Sequence, residues 1–193
     1  MAAAARVRLG APVAWRAVFI GTDTLVQNRL TIDYLLDLWA RERIALPLVL
    51  YGRHKRPPRA VPGVTWAGYA RDIAEVYARG SILVSPAFLR GGIKTKVLEG
   101  FAHKVPVVGN SASFEGLALH GYPLCFDREP DLLTFLSDPS RHLAVMAGAV
   151  ETAERYLERE HSPELFRQRW LTAVGAAPAR PAVEAGVPVG HRT

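Results

Sequence analysis

Residues 81–99 read SILVSPAFLRGGIKTKVLE, and this stretch decides the predicted fold. Its first part, residues 81–85, is a short apolar run typical of a buried strand, and a helix is predicted over residues 93–104. Between the two lies a turn that contains Gly91 and Gly92. A strand, a glycine-containing turn and a helix form the unit with which many α/β proteins hold phosphate groups.

Two lysines, Lys94 and Lys96, stand at the start of this predicted helix. A cation there faces the positive end of the helix dipole, which costs roughly a few tenths of a kcal/mol. We therefore infer that the two side chains hold an anion, and we predict a phosphate or nucleotide diphosphate site. The alternative is a solvated helix start, with Gly91 and Gly92 serving only as a turn.

Strand-like and helix-like segments alternate along the chain. Apolar runs predict about six strands, at residues 17–21, 47–52, 64–68, 81–85, 105–109 and 122–126. Helical periodicity predicts helices at residues 30–43, 70–78, 93–104 and 139–160, and a further one capped by Ser162. This alternation implies right-handed crossovers. The predicted fold class is α/β, a Rossmann-like doubly wound parallel sheet of about six strands with helices on both faces.

Length and composition indicate one globular domain. We expect an N-terminal extension over residues 1–16, the Rossmann-like domain over residues 17–175, and a disordered tail over residues 176–193. A single cysteine excludes a disulfide framework and fits a reducing compartment. Residues 11–20 are too short to span a bilayer, and Arg16 interrupts them, so we expect neither a signal peptide nor a transmembrane helix.

The net charge of +6 is unevenly spread, at +9 over residues 1–104 and −3 over residues 105–193. A basic half suits nucleotide phosphates, an anionic membrane surface or nucleic acid. No nucleic-acid-binding motif accompanies the charge, so we expect no nucleic acid partner. The basic segment 53–56 fits a diphosphate or a lipid head group, although such a cluster is more often a solvated loop. The histidines lack metal-ligand spacing, and we expect no bound metal.

Glu99 lies one turn inside the helix that follows the glycine turn. Thr95, Lys96, Glu99 and His103 share one side of this helix by their spacing. A glutamate there is well placed to accept hydrogen bonds from ribose hydroxyls. The alternative is a surface glutamate paired with Lys96 or His103.

Residues 17–118 resemble the C-terminal, donor-binding half of group 1 glycosyltransferases with the GT-B fold. The motifs that carry the resemblance are FIG (19–21), LVLYG (48–52), VTWAGY (64–69), ILVSP (82–86), GIKTKVLE (92–99), PVV (106–108) and FEGL (114–117). The motif around the helix is fairly specific. The resemblance implies a domain that binds a nucleotide-diphosphate sugar as donor substrate, with no bound cofactor and no metal.

The resemblance also assigns roles to residues. It implies that Glu99 contacts the ribose, and that N–H groups near Lys94 and Thr95 hold the diphosphate. Gly21 would line the cleft, and residues near Arg53 and Tyr69 would border the base. The full predicted site comprises Gly21, Arg29, Arg53, Tyr69, Gly91, Gly92, Lys94, Thr95, Lys96 and Glu99.

Several positions depart from the family pattern. Gly91 stands where the family often has a second, sugar-contacting glutamate, although a subfamily with a motif like GIKTK also lacks it. After the first strand, Arg29 is the nearest residue able to neutralise a diphosphate. Only sixteen residues precede the first predicted strand. We therefore expect the acceptor-binding half to be a separate subunit or a missing N-terminal domain, and we name no catalytic residue.

Three hypotheses follow. The leading one is a cytoplasmic donor-binding domain in polysaccharide biosynthesis, which transfers a sugar to an unknown acceptor with help from the missing half. Peripheral contact with the inner membrane face stays open. The second is a non-catalytic nucleotide- or protein-binding remnant of such a domain. The third is a flavodoxin-like regulator, for which Asp23 alone offers a phospho-acceptor.

Overall fold

The computed structural model describes residues 14–55, 59–92 and 94–174. A five-stranded sheet has the order β3-β2-β1-β4-β5, and every neighbouring pair of strands is parallel. The strands are β1 (Arg16–Ile20), β2 (Leu48–Tyr51), β3 (Val64–Gly68), β4 (Ser81–Val84) and β5 (Val107–Val108). The strand order reverses between β1 and β4, which confirms the predicted doubly wound α/β class.

Six α-helices connect and follow these strands in the described part of the chain. They are α1 (Val26–Glu42), α2 (Ile73–Val76), α3 (Thr95–Ala102), α4 (Glu129–Ser137), α5 (Leu143–His161) and α6 (Pro163–Ala173), with 3-10 turns at Ser111–Ser113 and Pro139–His142. Helix α1 begins at Val26 rather than at residue 30, because its first turn is partly polar and hides the apolar periodicity. Helix α3 begins two residues after its predicted start, and α2 is a single turn.

The predicted sixth strand, residues 122–126, does not form. In the described ranges this segment contributes one parallel bridge, between Gly109 and Cys125. The N–H of Cys125 donates to the carbonyl of Tyr122, so the backbone turns there instead of extending. Pro123 also removes one donor that a longer ladder would need. The sheet therefore has five strands where about six were expected.

The chain divides into two compact units, Met1–Glu158 and Arg159–Thr193. The first unit holds the sheet. In the second, the Ser162 hydroxyl accepts the N–H of Leu165 at 3.2 Å, which is the N-cap that the sequence predicts for α6. Most of the expected N-terminal extension and the whole expected tail, residues 176–193, lie outside the described residues.

The two central strands are buried on both faces. Ala17, Val18 and Phe19 of β1 are fully buried, and so is the apolar run of β4. Consecutive buried residues mean that both faces of the sheet are covered, which explains why these strands read as unbroken apolar runs. On α1, the indole N–H of Trp39 donates to the carbonyl of Leu46 at 2.8 Å, so the polar atom of this core residue is satisfied.

Helix α3 lies unusually close to the sheet at Gly100. A Cβ atom at this position would lie 2.7 Å from Val107 Cγ2 and 3.0 Å from Leu83 Cδ2. At the end of the same helix Lys104 adopts a left-handed backbone with φ of 56°, a conformation that glycine adopts more readily than lysine. The contact at Gly100 fixes the height of α3 above β4 and β5.

We predict that Gly100→Ala destabilises the protein and that Gly148→Ala stabilises it. The methyl group at position 100 would overlap Val107, whereas nothing lies within 4 Å of a Cβ at Gly148 in α5. The overlap should outweigh the gain in helix propensity at position 100, for a net loss of about 1–2 kcal/mol. Gly148→Ala should gain about 0.5–1 kcal/mol. Urea unfolding of both variants measures the two free energies, and equal gains would mean that α3 lies farther from the sheet.

Candidate functional site

A cavity of about 380 Å³ opens between α1, the loop after β4 and the start of α3. It lies at the carboxyl ends of β1 and β4, where the strand order reverses and where ligands of such sheets commonly bind. Five predicted site residues line it together: Gly91, Gly92, Lys94, Thr95 and Lys96. The glycine turn and the start of α3 thus form one wall of the cavity.

Lys96 is a half-buried charge in the wall of the cavity. Its Nζ donates to Asn28 Oδ1 at 2.6 Å and lies 4.6 Å from the centroid of the Phe19 ring. Burial lowers the pKa of Lys96 from its ordinary 10.5 to about 8, and the charge of Glu99 offsets part of this effect. In the described part of the chain no carboxylate forms an ion pair with Lys96. Among the described residues, the charge of Glu99 therefore acts on the ammonium without a direct ion pair.

Asn28 is a site residue that the sequence analysis missed. It is buried in the first turns of α1, and its Nδ2 donates to the carbonyl of Thr22 at 3.1 Å. A Cβ at Gly21 would lie 2.8 Å from the Asn28 amide carbon, so Gly21 makes room for this side chain. The available signal was spacing, because Asn28 precedes Ile32 by one turn on the buried face of α1.

The glycine turn is held from outside by a carboxylate. Gly91 and Gly92 both have positive φ, of 87° and 75°. The N–H of Gly91 donates to Glu115 Oε2 at 2.8 Å, and Lys94 Nζ donates to the carbonyl of Gly91 at 2.9 Å. The N–H of Gly91 holds the pKa of Glu115 below its ordinary value, and Arg90 and Lys94 act in the same direction. Glu115 therefore stays ionised and fixes the turn.

Neutral hydrogen bonds hold the rest of the loop after β4. Asn110 makes two of them with the backbone of Ala87, accepting its N–H at 3.0 Å and donating to its carbonyl at 2.9 Å. The Ser113 hydroxyl donates to the carbonyl of Ser85 at 2.8 Å. The Thr31 hydroxyl donates to the carbonyl of Pro86 at 2.9 Å. The loop is thus attached to both α1 and the segment after β5.

Glu99 lies one turn beyond the cavity on α3, and its side chain is exposed. The Tyr77 hydroxyl donates to Glu99 Oε2 at 3.3 Å, and the Tyr77 ring stacks on His103. Burial and the Glu99 carboxylate raise the pKa of Tyr77 above its ordinary value, so the hydroxyl remains a donor. Within the described ranges Glu99 forms no ion pair with Lys96 or His103. One carboxylate oxygen therefore stays available for another donor.

The other predicted site residues lie near the same edge of the sheet but outside the cavity lining. Arg29 is exposed on α1, Arg53 is exposed after β2, and Tyr69 after β3 is 83% exposed. Asp23 is buried and accepts the N–H of Lys55 at both carboxylate oxygens, at 2.9 and 3.0 Å. Its carboxylate holds the loop after β2, which is poor support for the phospho-acceptor role of the third hypothesis.

Among the residues that the structure describes, no group of three or more His, Cys, Asp or Glu side chains could hold a metal ion. None of the described helices combines the length and the apolar character that crossing a membrane requires.

The sequence matches the model of a protein family described as glycosyl transferases group 1, over residues 15–134. This range is well over half of the chain. No curated protein matches the sequence.

Several solved structures are similar to this one. WaaG, a glycosyltransferase involved in lipopolysaccharide biosynthesis, is 16% identical in sequence, with a TM-score of 0.60. The matched region covers 86% of this chain and 49% of the WaaG chain. TarM of S. aureus, in complex with UDP and other ligands, is 14% identical with a TM-score of 0.59, covering 84% and 36%. HepE of Anabaena, in complex with UDP and glucose, is 13% identical with a TM-score of 0.61, covering 84% and 49%. These likenesses show the fold, and the chain spans about half of these proteins or less.

We predict that Lys96 makes the free energy of unfolding rise with pH above about 8. The folded protein loses the Lys96 proton near pH 8, whereas the unfolded chain keeps it to about pH 10.5. Because the unfolded state then binds more protons, alkaline pH favours the folded state. Urea unfolding of the wild type and Lys96→Met, compared across this range, measures the effect. A difference between the two proteins that does not change with pH would contradict the prediction.

Proposed function

Because the chain belongs to the group 1 glycosyltransferases, we propose that it forms their nucleotide-sugar-binding half. In this proposal the cavity between α1 and α3 holds the diphosphate of a nucleotide-diphosphate sugar. The observation that carries the proposal is the half-buried Lys96 ammonium in the cavity wall, with which no carboxylate of the described residues forms an ion pair. Burying a charge is costly unless it is paired, so an anion in the cavity would recover part of that cost.

The other groups around the cavity suit the same ligand. The first residues of α3 offer backbone N–H groups, and Lys94 adds a second ammonium at the rim. When the sugar leaves, its bond to the diphosphate breaks and negative charge grows on the diphosphate oxygen. Donors already in position stabilise that charge without reorganisation. The two lysines would do this without a bound metal or any cofactor.

Glu99 is the group that we assign to the ribose. It lies about 6 Å along α3 from Thr95, at about 1.5 Å of rise per residue, which separates it from the diphosphate groups by roughly one turn. Tyr77 occupies one carboxylate oxygen of Glu99, and the other oxygen would accept a ribose hydroxyl. Arg29, Arg53 and Tyr69 are exposed beyond the cavity, where we propose that they border the base and the outer face of the diphosphate.

The neighbouring structures support the choice of ligand and of pathway. TarM and HepE were solved with UDP, so UDP is the first nucleotide to test. WaaG acts in lipopolysaccharide biosynthesis, and we propose a role in polysaccharide biosynthesis for this chain too. Because the chain spans half of these proteins or less, the acceptor side would come from another polypeptide or from further sequence.

A second candidate function is a non-catalytic nucleotide- or protein-binding module. Gly91 favours it, because the position at which related sequences often carry a sugar-contacting glutamate has no side chain here. Incubating the chain with a radiolabelled UDP-sugar, alone and with an added acceptor-binding half, separates the two. Sugar transfer that needs both parts supports the enzyme, and tight donor binding without transfer supports the module.

We predict that UDP, GDP or ADP binds saturably, and that Lys96→Met weakens the binding at least about tenfold because it removes a desolvated cation. Lys104→Met is the matched control, since Lys104 is exposed and paired with Glu154 at 2.7 Å, away from the cavity. Glu99→Gln should weaken the nucleotide but leave inorganic pyrophosphate unchanged, because pyrophosphate has no ribose. Calorimetric titration measures the affinities of the wild type, Lys96→Met, Lys104→Met and Glu99→Gln.

Two results would contradict the proposal. The first is a folded wild-type chain that binds neither nucleoside diphosphates nor pyrophosphate. The second is equal loss of affinity in Lys96→Met and Lys104→Met, which would mean that binding follows net charge rather than the cavity.

A further inference from the structure

Asn28 occupies a position at which an acidic side chain could pair with Lys96. Its Oδ1 lies 2.6 Å from Lys96 Nζ, and Asn28 is only 6% exposed. An aspartate has nearly the same size and would form a buried ion pair with the ammonium. An amide oxygen accepts a hydrogen bond but carries no net charge, so the positive charge of Lys96 is not neutralised.

We propose that Asn28 is a positioning residue that holds the Lys96 ammonium at the cavity wall and leaves its charge available to the diphosphate of the ligand. This inference rests on the proposed function and adds to it the residue that gives Lys96 its place and its charge. Asn28 thereby sets the preference of the cavity for an anion.

The orientation of the Asn28 amide follows from its two neighbours. Nδ2 donates to the carbonyl of Thr22 at 3.1 Å, on the side away from Lys96. The carbonyl needs a donor and the ammonium needs an acceptor, so the amide satisfies both in one orientation. An aspartate would set an oxygen against the Thr22 carbonyl, and a leucine would satisfy neither partner.

The remaining surroundings of Lys96 keep its charge in place without cancelling it. From β1 the Phe19 ring lies under the ammonium, where the negative face of an aromatic ring attracts a cation. From α1 the contact is the neutral Asn28 amide. Glu99, on the same helix as Lys96, is the acidic group that acts on it in the described part of the chain.

Two substitutions at this position should move the protonation of Lys96 in opposite directions. Asn28→Asp adds a negative charge beside the ammonium and favours its charged form, so the pKa of Lys96 rises. Asn28→Leu removes the acceptor and leaves the ammonium more poorly solvated, so the pKa falls further. If Asn28 served only to fill space, Asn28→Leu would leave the pKa of Lys96 unchanged.

The test is titration with UDP and with inorganic pyrophosphate between about pH 6.5 and 9.5, for the wild type and both variants. Asn28→Asp should bind both ligands at least about tenfold more weakly at every pH, because the ammonium is already paired. Asn28→Leu should bind more weakly than the wild type even at the lowest pH, because Lys96 loses its positioning contact, and should lose its remaining affinity at a lower pH than the wild type. Gln27→Glu is the matched control, because it adds the same charge to an exposed residue of the cavity lining. It should weaken the binding of both ligands less than Asn28→Asp does.

Each outcome has a distinct meaning. If the wild type binds neither UDP nor pyrophosphate, the proposed function is wrong and this inference falls with it. If the wild type binds and Asn28→Asp binds as tightly, the inference alone is wrong. It is also wrong if both variants shift the pH dependence in the same direction. Thermal unfolding checks the fold of each variant, and if Asn28→Asp does not fold, the pH profile of Asn28→Leu decides.

Discussion

The close contact between α3 and the sheet at Gly100 is the constraint on which the site depends. With no side chain at this position, the helix lies directly against Val107 and Leu83. Lys96 is one turn earlier on the same helix, and this height brings its ammonium over Phe19 and within reach of Asn28. A helix raised by the width of a methyl group would carry Lys96 away from both partners. Core packing beneath α3 therefore determines the electrostatics above it.

Neutral hydrogen-bonding groups hold the loop that lines the cavity, whereas the carboxylate that supports this loop lies outside the cavity lining. The loop after β4 is attached by neutral groups, the Asn110 amide and the hydroxyls of Ser113 and Thr31. The carboxylate of Glu115 supports the glycine turn from outside the cavity lining. Since no carboxylate belongs to the cavity lining, Glu115 and Glu99 offset its positive charge only from outside that lining. The exposed ion pairs elsewhere contribute little to stability and do not affect this balance.

The sequence correctly predicted those parts of the structure that are determined by residues close to one another along the chain. Apolar runs located the strands, with β3 predicted at both ends, and the glycine turn and its lysines do line a cavity. The sixth strand failed because backbone hydrogen bonding at its start turned the chain. The sequence analysis chose Arg29 rather than Asn28, because a diphosphate ligand suggests a positively charged partner. In the structure, Asn28 lies on the buried face of α1 and Arg29 is exposed. Asn28 and Lys96 are 68 residues apart, and no local pattern joins them.

The proposed donor site is built from the described residues of one unit, although the chain spans half or less of the similar proteins. In the proposed function, Lys96, Asn28 and the glycine turn would hold a diphosphate without a group from another domain. Sugar transfer, in contrast, needs an acceptor hydroxyl brought to the far side of the sugar, and that requires a second surface. In this proposal, affinity for the donor is a property of this chain and catalysis is a property of an assembly. Both proposed functions, the enzyme and the binding module, need the same donor site. The presence of a second surface that binds the acceptor therefore distinguishes them.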